Sequence, residues 1–100
     1  MKLEWSPWAL KDRDAIFDFI EQDNPRAAID IDSRIAEQTQ RLTQFPESGR
    51  LGRCPDTREL VINRTPYIAA YRIHDGRVQI LRVLHDAQSW PDDLPTLVER

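Results

Sequence analysis

Between Arg58 and Pro91 the chain reads RELVINRTPYIAAYRIHDGRVQILRVLHDAQSWP, short runs in which apolar and polar residues alternate. A period of two is the mark of β-strands with two unlike faces. Asp75-Gly76 separates two of these runs, and a two-residue Asp-Gly loop favours a type I′ turn with positive φ at both positions. Setting His74 opposite Arg77 and counting outward pairs Ile73 with Val78, Tyr71 with Ile80, Ala70 with Leu81, Ala69 with Arg82, Ile68 with Val83 and Tyr67 with Leu84. The loop Asn63-Arg64-Thr65-Pro66 then puts Ile62 opposite Tyr67 and Leu60 opposite Ala69. Pro66 has no N–H to donate and suits the start of a strand. The segment is thus expected to form a three-stranded antiparallel meander.

Alternation sorts the side chains of that meander onto two faces. One carries Leu60, Ile62, Tyr67, Ala69, Tyr71, Ile73, Val78, Ile80 and Leu84 with a single charge, Arg82, and is expected to be the core face. The other carries Glu59, Val61, Ile68, Ala70, Arg72, His74, Arg77, Gln79, Leu81, Val83 and His85. It is polar and basic toward the hairpin tip and apolar at the far end. A solvated face has no need of Val61, Ile68, Leu81 and Val83 together, so something is expected to cover them. Trp90, pushed toward extended backbone by Pro91, is placed to fold back over Ile68, Leu81 and Val83.

Upstream the period lengthens. Ser6-Pro7 and Asn24-Pro25 are two helix starts of one kind, a capping side chain followed by proline at the first helical position. Ala9, Ile16, Phe19 and Ile20 fall on a helical stripe ending near Gln22, and Ala28, Ile31, Ile35 and Leu42 on a second running up to Phe45-Pro46. The short link makes the pair an antiparallel hairpin. Lys2-Leu3-Glu4-Trp5 reads as a strand. The resulting order, β-α-α-β-β-β, is an α+β fold: an N-terminal strand and a helical hairpin packed on an antiparallel sheet. A short last helix, capped by Asp92-Asp93 and running through Leu94, Leu97 and Val98, is also expected.

Composition narrows the function. One hundred residues bury roughly two-thirds of the surface of the unfolded chain, enough for one domain, residues 1–100, with 86–100 as a tail. No apolar run is long enough to span a bilayer, and no signal-peptide pattern opens the chain. Cys54 is the single cysteine, so a reducing cytoplasm is expected. Two histidines and one cysteine, scattered, make no metal site, and no cofactor is implied. The net charge of −3 hides an asymmetry: residues 50–82 hold seven arginines against three acids, while residues 1–49 hold six bases and ten acids. Arginine suits planar, bidentate recognition, although such residues also serve as plain solvated surface.

LEWSPWA, NPRAA, FPESGRLGR, REL, PYIAAYRI, ILRVLH and AQSWP, in that order, resemble the ParE/RelE superfamily of type II toxin–antitoxin toxins. The resemblance spans roughly residues 2–91 and lies in order and spacing rather than in any one motif. It implies a small bacterial cytoplasmic toxin, neutralised by an adjacently encoded antitoxin that also carries the complex to operator DNA. It also implies one of two actions: RelE-like members cleave messenger RNA on the ribosome, and ParE-like members poison DNA gyrase. RNA cleavage needs a proton acceptor, a proton donor and cations around the developing charge. By position, two lysines of RelE-like toxins fall on Glu59 and Val61 and an arginine on Ile68. Their late arginine and tyrosine have no match in DAQSW. The resemblance therefore points to the ParE branch, with gyrase as target and no catalytic residue assigned.

The alternative is a RelE-like endonuclease using Arg72 and His85, with His85 as general base where it otherwise caps a strand. A further alternative is a non-toxic member that keeps antitoxin binding. Val61, Ile68, Leu81, Val83 and Trp90 form the expected antitoxin-binding strip. Arg72 and Arg77, near the hairpin tip, are candidates for target binding or plain surface charge. Arg82, placed among apolar neighbours, needs a carboxylate, with Asp12 or Asp18 expected as its partner.

Overall fold

The computed structural model describes residues 1–91 and Leu94; the short final helix expected from Asp92-Asp93 lies outside the described residues. Strand β1 (Lys2–Trp5) leads into α1 (Pro7–Glu21) and α2 (Pro25–Gln40), a 3₁₀ turn (Arg41–Thr43), and strands β2 (Arg50–Leu51), β3 (Arg58–Val61), β4 (Tyr67–His74) and β5 (Arg77–His85). They form one sheet in the order β1-β5-β4-β3-β2.

Both helices begin where the capping residues place them. Ser6 Oγ accepts the Ala9 N–H at 2.9 Å and Asn24 Oδ1 that of Ala27 at 3.1 Å, each followed by proline. Helix α2 ends before Phe45-Pro46, because the Thr39 hydroxyl bonds back to Ile35 O and the last turn tightens to 3₁₀ geometry. Ile35, Leu42 and Ala9 are fully buried against the sheet with Tyr71, Ile62, Val78 and Ile80. Phe19, expected on the buried stripe, is 70% exposed; Ile16 and Ile20 take the inward positions.

Two corrections concern the sheet. First, it is mixed rather than antiparallel throughout: β1 lies parallel to β5, Leu3 beside Val78 and Trp5 beside Ile80. Second, the β4–β5 pairing follows the expected pattern from His74–Arg77 to Tyr71–Ile80 and then slips by one. Leu81 is an extra residue, a β-bulge, so Ala70 pairs with Arg82, Ala69 with Val83, Ile68 with Leu84 and Tyr67 with His85. Every side chain past the bulge changes neighbours. Val83 joins the helix-side core, and the His85 ring meets Tyr67 edge-on at 5.4 Å. Neither stands on the mixed face where alternation placed it.

The bulge is held by α1. Ser6 Oγ, while capping the helix, donates to Leu81 O at 2.8 Å, and Ser6 N–H donates to Ile80 O at 2.9 Å. Asp12 Oδ2 accepts the Val83 N–H at 2.9 Å and Arg82 Nε at 2.7 Å, with Arg82 Nη2 on Oδ1 at 3.0 Å. Bidentate pairing with Asp12 outweighs burial and raises the pKa of Arg82. Asp18 plays no part in this pair.

Candidate functional site

The face of the sheet turned away from the helices carries the candidate residues. At its centre is Glu59, 3% exposed on β3. Its Oε1 accepts Arg50 Nε and Nη2 at 3.1 and 2.9 Å, and its Oε2 accepts the Arg53 N–H and Nε at 2.9 and 3.0 Å. Burial raises the pKa of this carboxyl, but the hydrogen bonds from Arg53 and Arg50 more than offset it. The result lies below the ordinary value. Sequence reading put Glu59 on this face but missed its role. The signal available was a lone acid in a strand flanked by Arg50, Arg53 and Arg58.

A depressed folded pKa means stability that is present above the unfolded value of 4.5 and lost as pH falls through the folded value. Urea unfolding should therefore separate the protein from Glu59→Gln most at about pH 7, with the gap narrowing by about pH 3. A gap independent of pH would contradict the ionised cluster.

Arg53 links this cluster to the chain's end. Its guanidinium lies 3.6 Å from the centre of the Trp90 ring, a cation–π contact. Trp90 packs against Cys54, Ala70, Leu81 and Leu94, and its Nε1 donates to His85 O at 3.3 Å. The segment after β5 thus folds back over the apolar end of this face. Of the strip named from sequence, Leu81 (0% exposed) and Ile68 (3%) are buried, and Trp90 covers Leu81. Val61 is 45% exposed, and Val83 belongs to the opposite core.

His85 is engaged. Its Nδ1 accepts the Ala87 N–H at 3.0 Å, and its own N–H donates to Gln88 Oε1 at 2.7 Å. Asp86 Oδ1 stands 3.3 Å from the same Nδ1. Arg72 and His85 are not brought together: one lies near the hairpin tip and the other at the far end of β5.

The arginines of the basic half are largely spent inside the fold. Arg50 and Arg53 close on Glu59, Arg77 on Glu4 at 2.9 Å and Arg82 on Asp12. Arg58 donates to the carbonyls of Glu47 and Gly49. Arg72 is the exception on this face. It lines an open cleft of about 580 Å³ between the hairpin tip and the 51–58 segment. Its Nε is buried without a hydrogen-bond partner, as is Gln79 Oε1 on the residue paired with it. A buried donor left unpaired costs about 1–3 kcal/mol, a cost met at a site more readily than in a plain core. Among the described residues no group of three or more His, Cys, Asp or Glu could hold a metal ion, and no helix is long and apolar enough to cross a membrane.

The sequence and fold have counterparts among known proteins. Residues 3–90 match the family described as the ParE toxin of the type II toxin–antitoxin system parDE. The chain is 43% identical to the putative toxin Y4kP of Sinorhizobium fredii over 93% of its own length and 96% of that protein. It is 39% identical to Toxin RelE2 of Caulobacter vibrioides over 84% and 93%. A chain of the chromosomal ParDE toxin–antitoxin system from P. aeruginosa superposes with a TM-score of 0.78 at 32% identity, covering 85% of this chain and 95% of that one. With the β-α-α-β-β-β order and these matches over nearly its whole length, the chain belongs to the ParE family of type II toxins.

Proposed function

We propose that the protein is a cytoplasmic toxin that inhibits DNA gyrase when free and is neutralised by a cognate antitoxin, which also supplies contact with operator DNA. The antitoxin lies along the second face of the sheet, over Val61 and the margin of the Ile68–Leu81–Trp90 patch. The observation that carries this reading is the state of the positions where RelE-like nucleases place cations. Glu59 is a buried acid locked between two arginines, Val61 is apolar and exposed, and Ile68 is apolar and buried.

Loss of one charge-stabilising group commonly costs about a hundredfold to a thousandfold in rate, and here several are lost from one site. The name of the Caulobacter relative, Toxin RelE2, does not favour nuclease chemistry in a chain lacking those cations. His85 is tied into the turn after β5 through Ala87 and Gln88, at the far end of that strand from the hairpin tip that carries Arg72.

Expression of His85→Ala without antitoxin tests this reading. Growth arrest equal to that of the unaltered protein is the expected outcome. Arrest abolished by His85→Ala, with the variant folded and present at equal level, would favour the endonuclease instead.

A further inference from the structure

We propose that the outward flank of α1 is a self-association surface, on which a second copy of this chain packs its own α1 antiparallel about a two-fold axis. The flank carries an apolar line. At about 100° per residue, Trp8, Ala15 and Phe19 fall within about 20° of one line along the helix. Trp8 is 44% exposed and Phe19 70%, and Ala15 between them is exposed too. Hydrogen bonds from the adjoining residues fix where that line points. Asp12 meets Arg82 on β5, whereas Arg13 meets Asp32 on α2. The line runs beside Asp12, on the side of α1 turned away from α2.

The charges bordering the line select a second copy as the occupant. Lys11 and Asp18 share its outer margin, two helical turns apart and both exposed. Among the described residues neither has an ion pair. One precedes Ala15 by four residues and the other follows it by three. An antiparallel copy centred on Ala15 therefore brings Lys11 opposite Asp18 of the second copy, to within about 1.5 Å along the axis. The two-fold operation repeats the pair, as an isologous interface requires. Ala15 at the crossing point lets the helices approach closely, and each Phe19 falls between Trp8 and Ala15 of the other copy.

The helix is held ready for this packing by Ser6 on Leu81 O and by Asp12 on Arg82, which lowers the ordering cost of association. The flank lies on the helix side of the sheet, away from the face proposed for the antitoxin. The inference does not rest on gyrase as target.

Sedimentation equilibrium of the purified, antitoxin-free chain tests it. One helix pair buries less than the roughly 1,600 Å² of a standard interface, so dimers are expected to form between about 10 µM and 1 mM. Phe19→Ser and Lys11→Glu, both at exposed positions, are each expected to weaken association about tenfold, with circular dichroism unchanged. Lys11→Glu combined with Asp18→Lys is expected to restore it to within about threefold, because the exchanged charges meet again across the axis. A monomer at every concentration, association unmoved by Phe19→Ser, or a double variant as weak as Lys11→Glu would each overturn the proposal. So would a monomeric protein whose Phe19→Ser variant binds antitoxin less well, a result that gives the flank to the antitoxin.

Discussion

Replacing Asp12 by alanine is expected to lower unfolding free energy by about 3 kcal/mol, the lower end for breaking a buried ion pair from one side. For a domain of this size that is a fall in Tm on the order of 10–20 °C. The carboxylate is 15% exposed and Arg82 26%, so the change strands a half-buried guanidinium and leaves the Val83 N–H without its acceptor. It also removes a tie between α1 and the bulged end of β5. The damage comes from stranding Arg82, not from losing the attraction as such. Asp12→Leu combined with Arg82→Met should therefore recover most of the loss. Urea unfolding of the single and double variants decides it. A single-variant cost within about 0.5 kcal/mol would mean the pair behaves as a surface ion pair.

The second large effect is expected at Tyr71, which is fully buried in the helix-side core. Its hydroxyl donates to Pro46 O at 2.6 Å and accepts the Gly49 N–H at 2.9 Å, tying the loop before β2 to β4. Burial raises the pKa of the phenol, with Gly49 and Arg58 opposing, so the hydroxyl keeps its proton for Pro46. Tyr71→Ala removes the ring and orphans both loop groups, and a cost of about 3–5 kcal/mol is expected. Tyr71→Phe isolates the loop contacts at about 1–3 kcal/mol. The close approach explains the glycine: a Cβ on Gly49 would stand 2.6 Å from the Tyr71 hydroxyl. Thermal unfolding of both variants measures the two parts. A neutral Tyr71→Phe would show that the hydroxyl does not hold the loop.

What could be read from the chain was set by local chemistry. Asp75 and Gly76 do take positive φ, 55° and 74°, because an Asp-Gly pair specifies its turn without help from the rest of the fold. The helix starts are legible for the same reason. The bulge at Leu81 was not, because its cause lies far away in sequence, in Ser6 and Asp12. It left one trace: counting by twos put Arg82 on a core face. Core positions at Val78, Ile80 and Val83 break the period of two, and that break was the available sign of a slip.

The site was less legible than the fold. Its acid and arginines were visible as residues, but which of them neutralise one another depends on how the 51–57 segment curls over β3. There Gly52 N–H bonds Thr57 O at 2.8 Å and Asp56 takes a positive φ of 62°. Net charge therefore overstated the basic half, since most of its arginines are paired within the fold. The parallel pairing of β1 with β5 was likewise beyond local reasoning, as the four residues of β1 carry no signal naming their neighbour.

The most direct test of the central claim is DNA gyrase supercoiling with purified, antitoxin-free protein, scoring inhibition and stabilised cleavage complexes, with ribosome-dependent mRNA cleavage assayed on the same preparation. Inhibited supercoiling and intact mRNA are the predicted result. Unimpaired gyrase with cleaved mRNA, from protein shown to be folded, would contradict it.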